Sequence, residues 1–217
     1  MYMKTAHFLN ILLSAAVLLL VGRLVWTETS APKEAAAPAN TTWNHIMSRT
    51  SIRAYSDRAV TQEQIDTLLR AAMAAPTARN QQPWQLVVVT DKAQMKALSE
   101  VMPSGKMAAQ AQTVVVVCGD MSRALSGEAS SYWIQDCSAA TENLLLAAHS
   151  MGLGAVWCGV YPISERVAGV RRVLQLPDSI IPLNMVPIGW PAEHPQPKDK
   201  WMPERYTTTA IESVRIR

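Results

Sequence analysis

Only three cysteines occur in the 217 residues. Cys118, Cys137 and Cys158 cannot all pair within one chain, and none forms a CxxC unit or a Cys/His cluster, which argues against a disulfide framework and against a zinc site. The four histidines, His7, His45, His149 and His194, lie far apart in sequence with no ligand-like spacing. No Ser/His/Asp or Cys/His arrangement stands out, so nucleophilic and metal chemistry have no visible carrier. Long runs of one charge are missing as well. The 20 Lys and Arg against 17 Asp and Glu leave a net charge of +3, and the basic residues are scattered, so no nucleic-acid partner is suggested. No G-x-G-x-x-G follows a predicted strand, which leaves a Rossmann dinucleotide site without support. There is no internal repeat.

What is present begins with an apolar front. The length suits one domain plus an appendage. Residues 8–21 are apolar apart from Asn10 and Ser14 and follow Lys4 and His7, the arrangement of a signal-like n-region and h-region. A spanning helix needs roughly 20 apolar residues, and extension past Arg23 to Trp26 gives a short span in which Arg23 snorkels and Trp26 sits at the interface. No clean small-x-small cleavage site follows, because Ala31 precedes Pro32 and the alanines at 35–37 precede Pro38. Residues 1–28 are therefore read as an uncleaved membrane anchor through 8–26 or, second to that, a removed signal peptide. Residues 29–42 form an Ala/Pro-rich linker, and 43–217 the folded domain with a C-terminal arm. Lys4 favours an inside N-terminus and an exported domain on the periplasmic side of a bacterial-type envelope, while Arg23 and Lys33 weaken that asymmetry.

Thr61 with Gln64 makes a capping box ahead of Ile65, Leu68, Leu69 and Ala72, which recur at helical spacing and predict a helix over 61–74. Strands are predicted at 84–90, 113–118, 154–160 and 182–189, the second a buried run in which Cys118 is a small hydrophobe and which Gly119-Asp120 stops. Helices are predicted at 91–101, over 131–151 with closure at Gly152, and from 164 to about 174. The tail 207–217 alternates well enough to add a strand, to a partner subunit for instance. Helices and strands alternate without regular βαβ repeats, so the class is α+β, with one central mixed sheet flanked by helices.

Four patches carry polar chemistry. In Arg49-Thr50-Ser51-Ile52-Arg53, positions 49, 51 and 53 of an extended segment share one face, which makes either a phosphate clamp of two guanidinium forks and a hydroxyl or a solvated basic turn. The run from Ala75 to Trp84, with Pro76, Thr77, Asn80 and Gln82, is a Pro-bracketed polar loop, either ligand-presenting or a plain connector. In the run from Gly152 to Gly159, with Val156, Trp157 and Cys158, glycines let the backbone approach another helix or a flat ligand. The run from Pro187 to Lys200 leaves the last strand as a Pro-fixed arm bearing Lys198 and Lys200.

In order and spacing these patches resemble the nitroreductase family over residues 49–206, through the R-x-S-x-R opening at Arg49, the A-P-T-x-x-N-x-Q-P-W loop, the central helix from Asp136 ending in Gly152-Leu-Gly154, and the P-I-G-W-P-A-E run at Pro187. The resemblance implies a nitroreductase-like fold, an intertwined homodimer, and FMN in each of two interface sites. It implies that Arg49, Ser51 and Arg53, with Lys200 and Lys198, hold the FMN phosphate and ribityl chain. Asn80, with Gln82 and backbone around Pro76 and Thr77, would meet the polar rim of the ring, and Val156-Trp157-Cys158 would run along it. Lys200 departs from the arginine that many relatives carry, which keeps the charge and loses the planar fork. Asp136, Asn143 and Trp133 on the central helix are open between flavin contact and the packing and capping of neighbouring loops.

The implied activity is hydride movement from NADH or NADPH through the flavin to a small electron-poor acceptor, a nitroaromatic or quinone, in a ping-pong cycle. Reduced nicotinamides are cytoplasmic, so an exported domain would lack its usual donor. A reductive dehalogenase of the same fold remains an alternative, although no Glu/Tyr/Lys lid trio is visible at matching spacing. A non-catalytic, membrane-tethered flavin-binding protein is the other.

Overall fold

In the computed structural model the described residues are 42–207, together with helical backbone at 17–19 and 23. The chain falls into two units, residues 1–41 and 42–217, and the sheet with its helices belongs to the second. The expected anchor and linker, and the expected strand at 207–217, lie almost wholly outside the described residues. Among the described residues no helix is long and apolar enough to cross a membrane.

Helix α1, Thr42–Ser48, buries no residue. Helix α2, Gln62–Met73, starts on the expected capping box: the Thr61 hydroxyl accepts from the Gln64 N–H at 3.2 Å, and Gln64 Oε1 accepts from the Thr61 N–H at 3.0 Å. Its buried stripe is Ile65, Leu68 and Ala72. Helix α3, Lys92–Val101, is capped by Asp91, whose Oδ1 accepts from the Gln94 N–H at 2.8 Å. Helix α4, Tyr132–Ser150, is the central helix. It ends in a Schellman pair, Gly152 N–H to His149 carbonyl at 3.0 Å and Leu153 N–H to Ala148 carbonyl at 2.9 Å, and Gly152 adopts the required positive φ of 74°. Helix α5 is Ser164–Leu174.

The strands are β1 Trp84–Val89, β2 Thr113–Asp120, β3 Gly154–Ala155, β4 Cys158–Gly159 and β5 Ile180–Gly189. The sheet order is β1-β2-β5-β3, with β4 also on β5. Every pairing among the described residues is antiparallel, which corrects the mixed sheet that the alternation of helices and strands suggested. Gly119 and Asp120 do not stop β2: they pair with Ile181 and Ile180 and extend the strand. The strand expected over 154–160 is also interrupted. Its register would set Val156 opposite Pro187, which has no N–H to donate and whose carbonyl accepts the Tyr55 hydroxyl at 3.0 Å.

Strand β2 is buried on both faces, and its alternation divides the core. Val115 and Val117 pack with α2 and α4 residues such as Leu68 and Leu144; Val114, Val116 and Cys118 pack with α3 and α5 residues such as Leu98 and Val170. The register shift between Val117 and Cys118 leaves Leu183 unpaired with β2, and its carbonyl instead accepts from Val160 and Tyr161 N–H, both at 3.0 Å.

Candidate active site

The first patch leaves α1 as an extended segment. The Arg49 N–H closes the helix on the His45 carbonyl at 2.9 Å, and the Ile52 N–H donates to the Ala155 carbonyl at 3.1 Å. Ile52 is buried against Gly154, where a Cβ would lie 2.6 Å from Ile52 Cγ2, so only glycine lets the two backbones come this close. With Ile52 turned inward, residues 49, 51 and 53 face the other way, as alternation predicts. The segment is then fastened to the arm: Ser56 N–H to Trp190 carbonyl at 2.9 Å, Ala192 N–H to Ala54 carbonyl at 2.9 Å, and Glu193 Oε1 accepting from the backbone N–H of both Arg53 and Ala54.

That fastening brings the first and fourth patches together. Arg49, Ser51 and Arg53 line one cavity of about 670 Å³ with Lys198 and Lys200. Trp43, Ile46 and Met47 of α1 and Trp201 of the arm form its apolar wall. Glu142 lies 3.6 Å from the Arg49 Nε and offsets part of that charge. Two guanidinium forks, two ammonium groups and a hydroxyl make a donor set suited to a phosphomonoester, and the volume falls in the usual range of roughly 300–1,000 Å³ for cofactor pockets. The apolar wall escaped sequence reasoning, although Trp43, Ile46 and Met47 recur at helical spacing on a helix that buries nothing.

The second patch does not reach this cavity. Its residues form a 3-10 turn, Ala78–Asn80, in which Arg79 and Asn80, and then Gln82, hold positive φ of 50°, 56° and 50°. Non-glycine residues enter this region at a cost, so three within four positions mark a tightly determined loop. Gln82 N–H donates to Thr77 Oγ1 at 3.1 Å, and the Gln82 amide donates to Asn80 Oδ1 at 3.0 Å. Pro76, Asn80 and Gln82 are exposed and Thr77 half-buried. From α4, Asp136 Oδ1 accepts the Ala78 N–H at 2.8 Å and Asn143 Nδ2 donates to the Ala71 carbonyl at 3.1 Å, so both side chains brace neighbouring segments; Trp133 is buried.

The third patch divides. Val156 and Cys158 are buried in the core, with Cys158 Sγ 3.8 Å from Met107 Sδ, while Trp157 is about one-third exposed between β3 and β4. Burial pushes the Cys158 thiol up to about 11, with Arg53 opposing, so it is protonated at neutral pH and no nucleophile. Burial likewise raises Tyr55, whose hydroxyl is spent on the Ile52 and Pro187 carbonyls at 2.8 and 3.0 Å. His149 Nε2 lies 2.8 Å from Ser48 Oγ.

What a basic cavity built by R-x-S-x-R and a C-terminal arm serves, in a chain that also holds a strained N-x-Q-P-W loop apart from it, is decided by comparison with known proteins. The model of the "Nitroreductase family" matches residues 46–105 and 100–190. The chain belongs to the nitroreductase family. It is an oxidoreductase of that family. A protein of Methanothermobacter thermautotrophicus, provisionally named an NADH dehydrogenase/NAD(P)H nitroreductase, is 45% identical over 160 residues, which cover 74% of this chain and 82% of that protein. The crystal structure of a Parabacteroides distasonis protein given the same provisional name is 44% identical with a TM-score of 0.74, covering 78% of this chain and 98% of that one. An FMN-dependent nitroreductase of Clostridium difficile is 25% identical with a TM-score of 0.70, covering 76% and 98%. The nitroreductase-like α+β fold, a central sheet flanked by helices, follows from these structures.

Proposed function

We propose that this chain binds FMN and moves a hydride from NADH or NADPH to a small electron-poor acceptor, a nitroaromatic or a quinone. One observation carries the reading: Arg49, Ser51 and Arg53, from one end of the domain, share a cavity with Lys198 and Lys200 from the other. FMN, when bound, supplies the hydride chemistry. The chain's own residues bind and orient. Arg49, Arg53, Lys198 and Lys200 hold the phosphate, with Ser51 donating beside them. The apolar wall of Trp43, Met47 and Trp201 keeps water from one side of the bound group. Asn80 and Gln82, with backbone around Pro76 and Thr77, donate to the polar rim of the ring, and Trp157 is the exposed side chain of the segment read as running along it.

The N-x-Q-P-W loop lines no part of the basic cavity of its own protomer. This supports a homodimer in which each site takes its cations from one copy and its Asn80 loop from the other. The exposed Trp43, Ile46 and Met47 of α1 are the apolar face such a dimer would cover. We read the segment over residues 8–26, from sequence alone, as an anchor or leader; on the periplasmic side, which that reading favours, the domain would be cut off from the cytoplasmic nicotinamide pool.

The test is direct. Purified protein should be yellow or take up FMN, and should then oxidise NADH or NADPH with a quinone or nitroaromatic present. Absence of both flavin uptake and nicotinamide oxidation refutes the reading.

A further inference from the structure

Asp136 belongs to the second turn of α4, is only 6% exposed, and shares a helix face with the buried Trp133 three residues before it. A carboxylate so enclosed needs a donor, and the structure gives it the Ala78 backbone N–H at 2.8 Å. That N–H opens the 3-10 turn whose next residues, Arg79 and Asn80, and then Gln82, are held in left-handed backbone. Internal bonds close the turn: Asn80 N–H to Thr77 carbonyl and Gln81 N–H to Ala78 carbonyl, both at 3.1 Å. The far end is tied by the Asp120 N–H to the Pro83 carbonyl at 2.6 Å. The strained residues thus lie between two attachments, and the one nearer Asn80 is a side chain of the central helix. Because Asn80 Oδ1 accepts from Gln82, the Asn80 amide donors are left for an outside acceptor.

We propose that Asp136 is a positioning residue: by fixing the Ala78 N–H it holds the 77–82 loop in the backbone that presents Asn80 to the flavin ring. This rests on the flavin reading above. The hydrogen bond orders strained backbone where the polar rim of the ring is to be met, and the acceptor atom, not the charge, is what the loop requires.

The test uses the full chain in two arms. Amide hydrogen exchange of residues 78–82 in flavin-free protein reads loop order. Asp136→Ala, and independently Ala78→Pro, which removes the donor at a position where Thr77 already has the extended backbone that precedes proline, should speed exchange at Asn80, Gln81 and Gln82 about tenfold or more. Asp136→Asn keeps a carbonyl acceptor and should stay within about threefold of wild type. The second arm is the midpoint potential of bound FMN: Asp136→Ala should shift it in the same direction as Asn80→Ala, and the double variant no further than the larger single one. Unchanged exchange in both disruptive variants, additive shifts in potential, or an Asp136→Asn as damaging as Asp136→Ala each overturns the proposal. Wild-type protein that takes up no FMN removes the flavin reading and with it the claim that the loop serves a ring, while the exchange arm still decides whether Asp136 orders the loop.

Discussion

The Ser48 hydroxyl lies 2.8 Å from His149 Nε2 and donates its single proton to the Asn44 carbonyl at 2.6 Å, so His149 must supply the proton between them. The imidazole is therefore read as carrying its proton on Nε2. It faces His45 edge-on at 5.7 Å, and Arg49 and Glu142 lie at the same junction of α1 with α4.

Burial, then His45 and Arg49, lower the pKa of His149 below the ordinary 6.5. Its neutral form is thus favoured by folding, and the unfolded chain binds more protons as the pH falls. The associated stability is present above pH 6.5 and is lost as the pH falls through the lower folded value. We expect the Tm of the wild type to drop between pH 7 and pH 5 by more than that of His149→Gln, which keeps an N–H donor but cannot charge. Parallel curves for the two proteins would show that His149 is not the sensor.

The cations of the cavity should govern FMN affinity. Removal of Arg53 or Lys200 by alanine deletes a charge-assisted contact worth roughly 1.5–3 kcal/mol, so the dissociation constant should rise about 10-fold to 100-fold, by flavin fluorescence titration. Added salt should weaken wild-type binding more than variant binding. Lys200→Arg restores a planar fork and should tighten binding by a few-fold. Affinities for the alanine variants within about twofold of wild type would place the phosphate elsewhere.

The sheet and helices were legible because their signals are local. The Thr61 capping box and the glycine closure at Gly152 each fix an element from a few neighbouring residues. What misled was non-local. Nothing near Val156 in sequence tells that Pro187 will be its partner and break the ladder, and nothing in Gly119-Asp120 tells that β5 will continue alongside. The same holds for the site. The R-x-S-x-R face could be read from alternation, but its closure by Lys198 and Lys200 depends on Glu193 seizing the backbone at Arg53 and Ala54. Asn80 was visible as a polar loop residue; that its loop would stand apart from the basic cavity of its own protomer was not.

Gly154→Ala should unfold more easily than wild type. The new Cβ would lie 2.6 and 2.7 Å from Ile52 Cγ2 and Cβ, and a buried β-branched side chain has little room to turn away. Overpacking of this kind costs about 1–3 kcal/mol, which a urea midpoint resolves. Ile52→Ala in the same chain removes the contacts to the γ carbons but keeps its own Cβ 2.7 Å from the new one, so the double variant should stay below the wild-type midpoint. Equal midpoints for wild type and Gly154→Ala would mean that the strands separate at no cost.

Glu193 joins the arm to the phosphate-facing segment, so its loss should be felt at a distance from its own charge. The Oε1 atom accepts from two backbone N–H groups, of Arg53 and Ala54. Truncation to alanine leaves two donors without a partner, at about 1–3 kcal/mol for each that water does not reach. The arm then loses its hold on the strand, and Lys198 and Lys200 lose their place opposite Arg53. We expect Glu193→Ala to lower both the urea midpoint and the affinity for FMN, although no side-chain atom of Glu193 lines the basic cavity. Glu193→Gln keeps the accepting oxygen and should lie much nearer wild type in both measurements. If the glutamine variant instead behaves like alanine, the carboxylate acts through its charge on the four cations, and the backbone contacts are incidental.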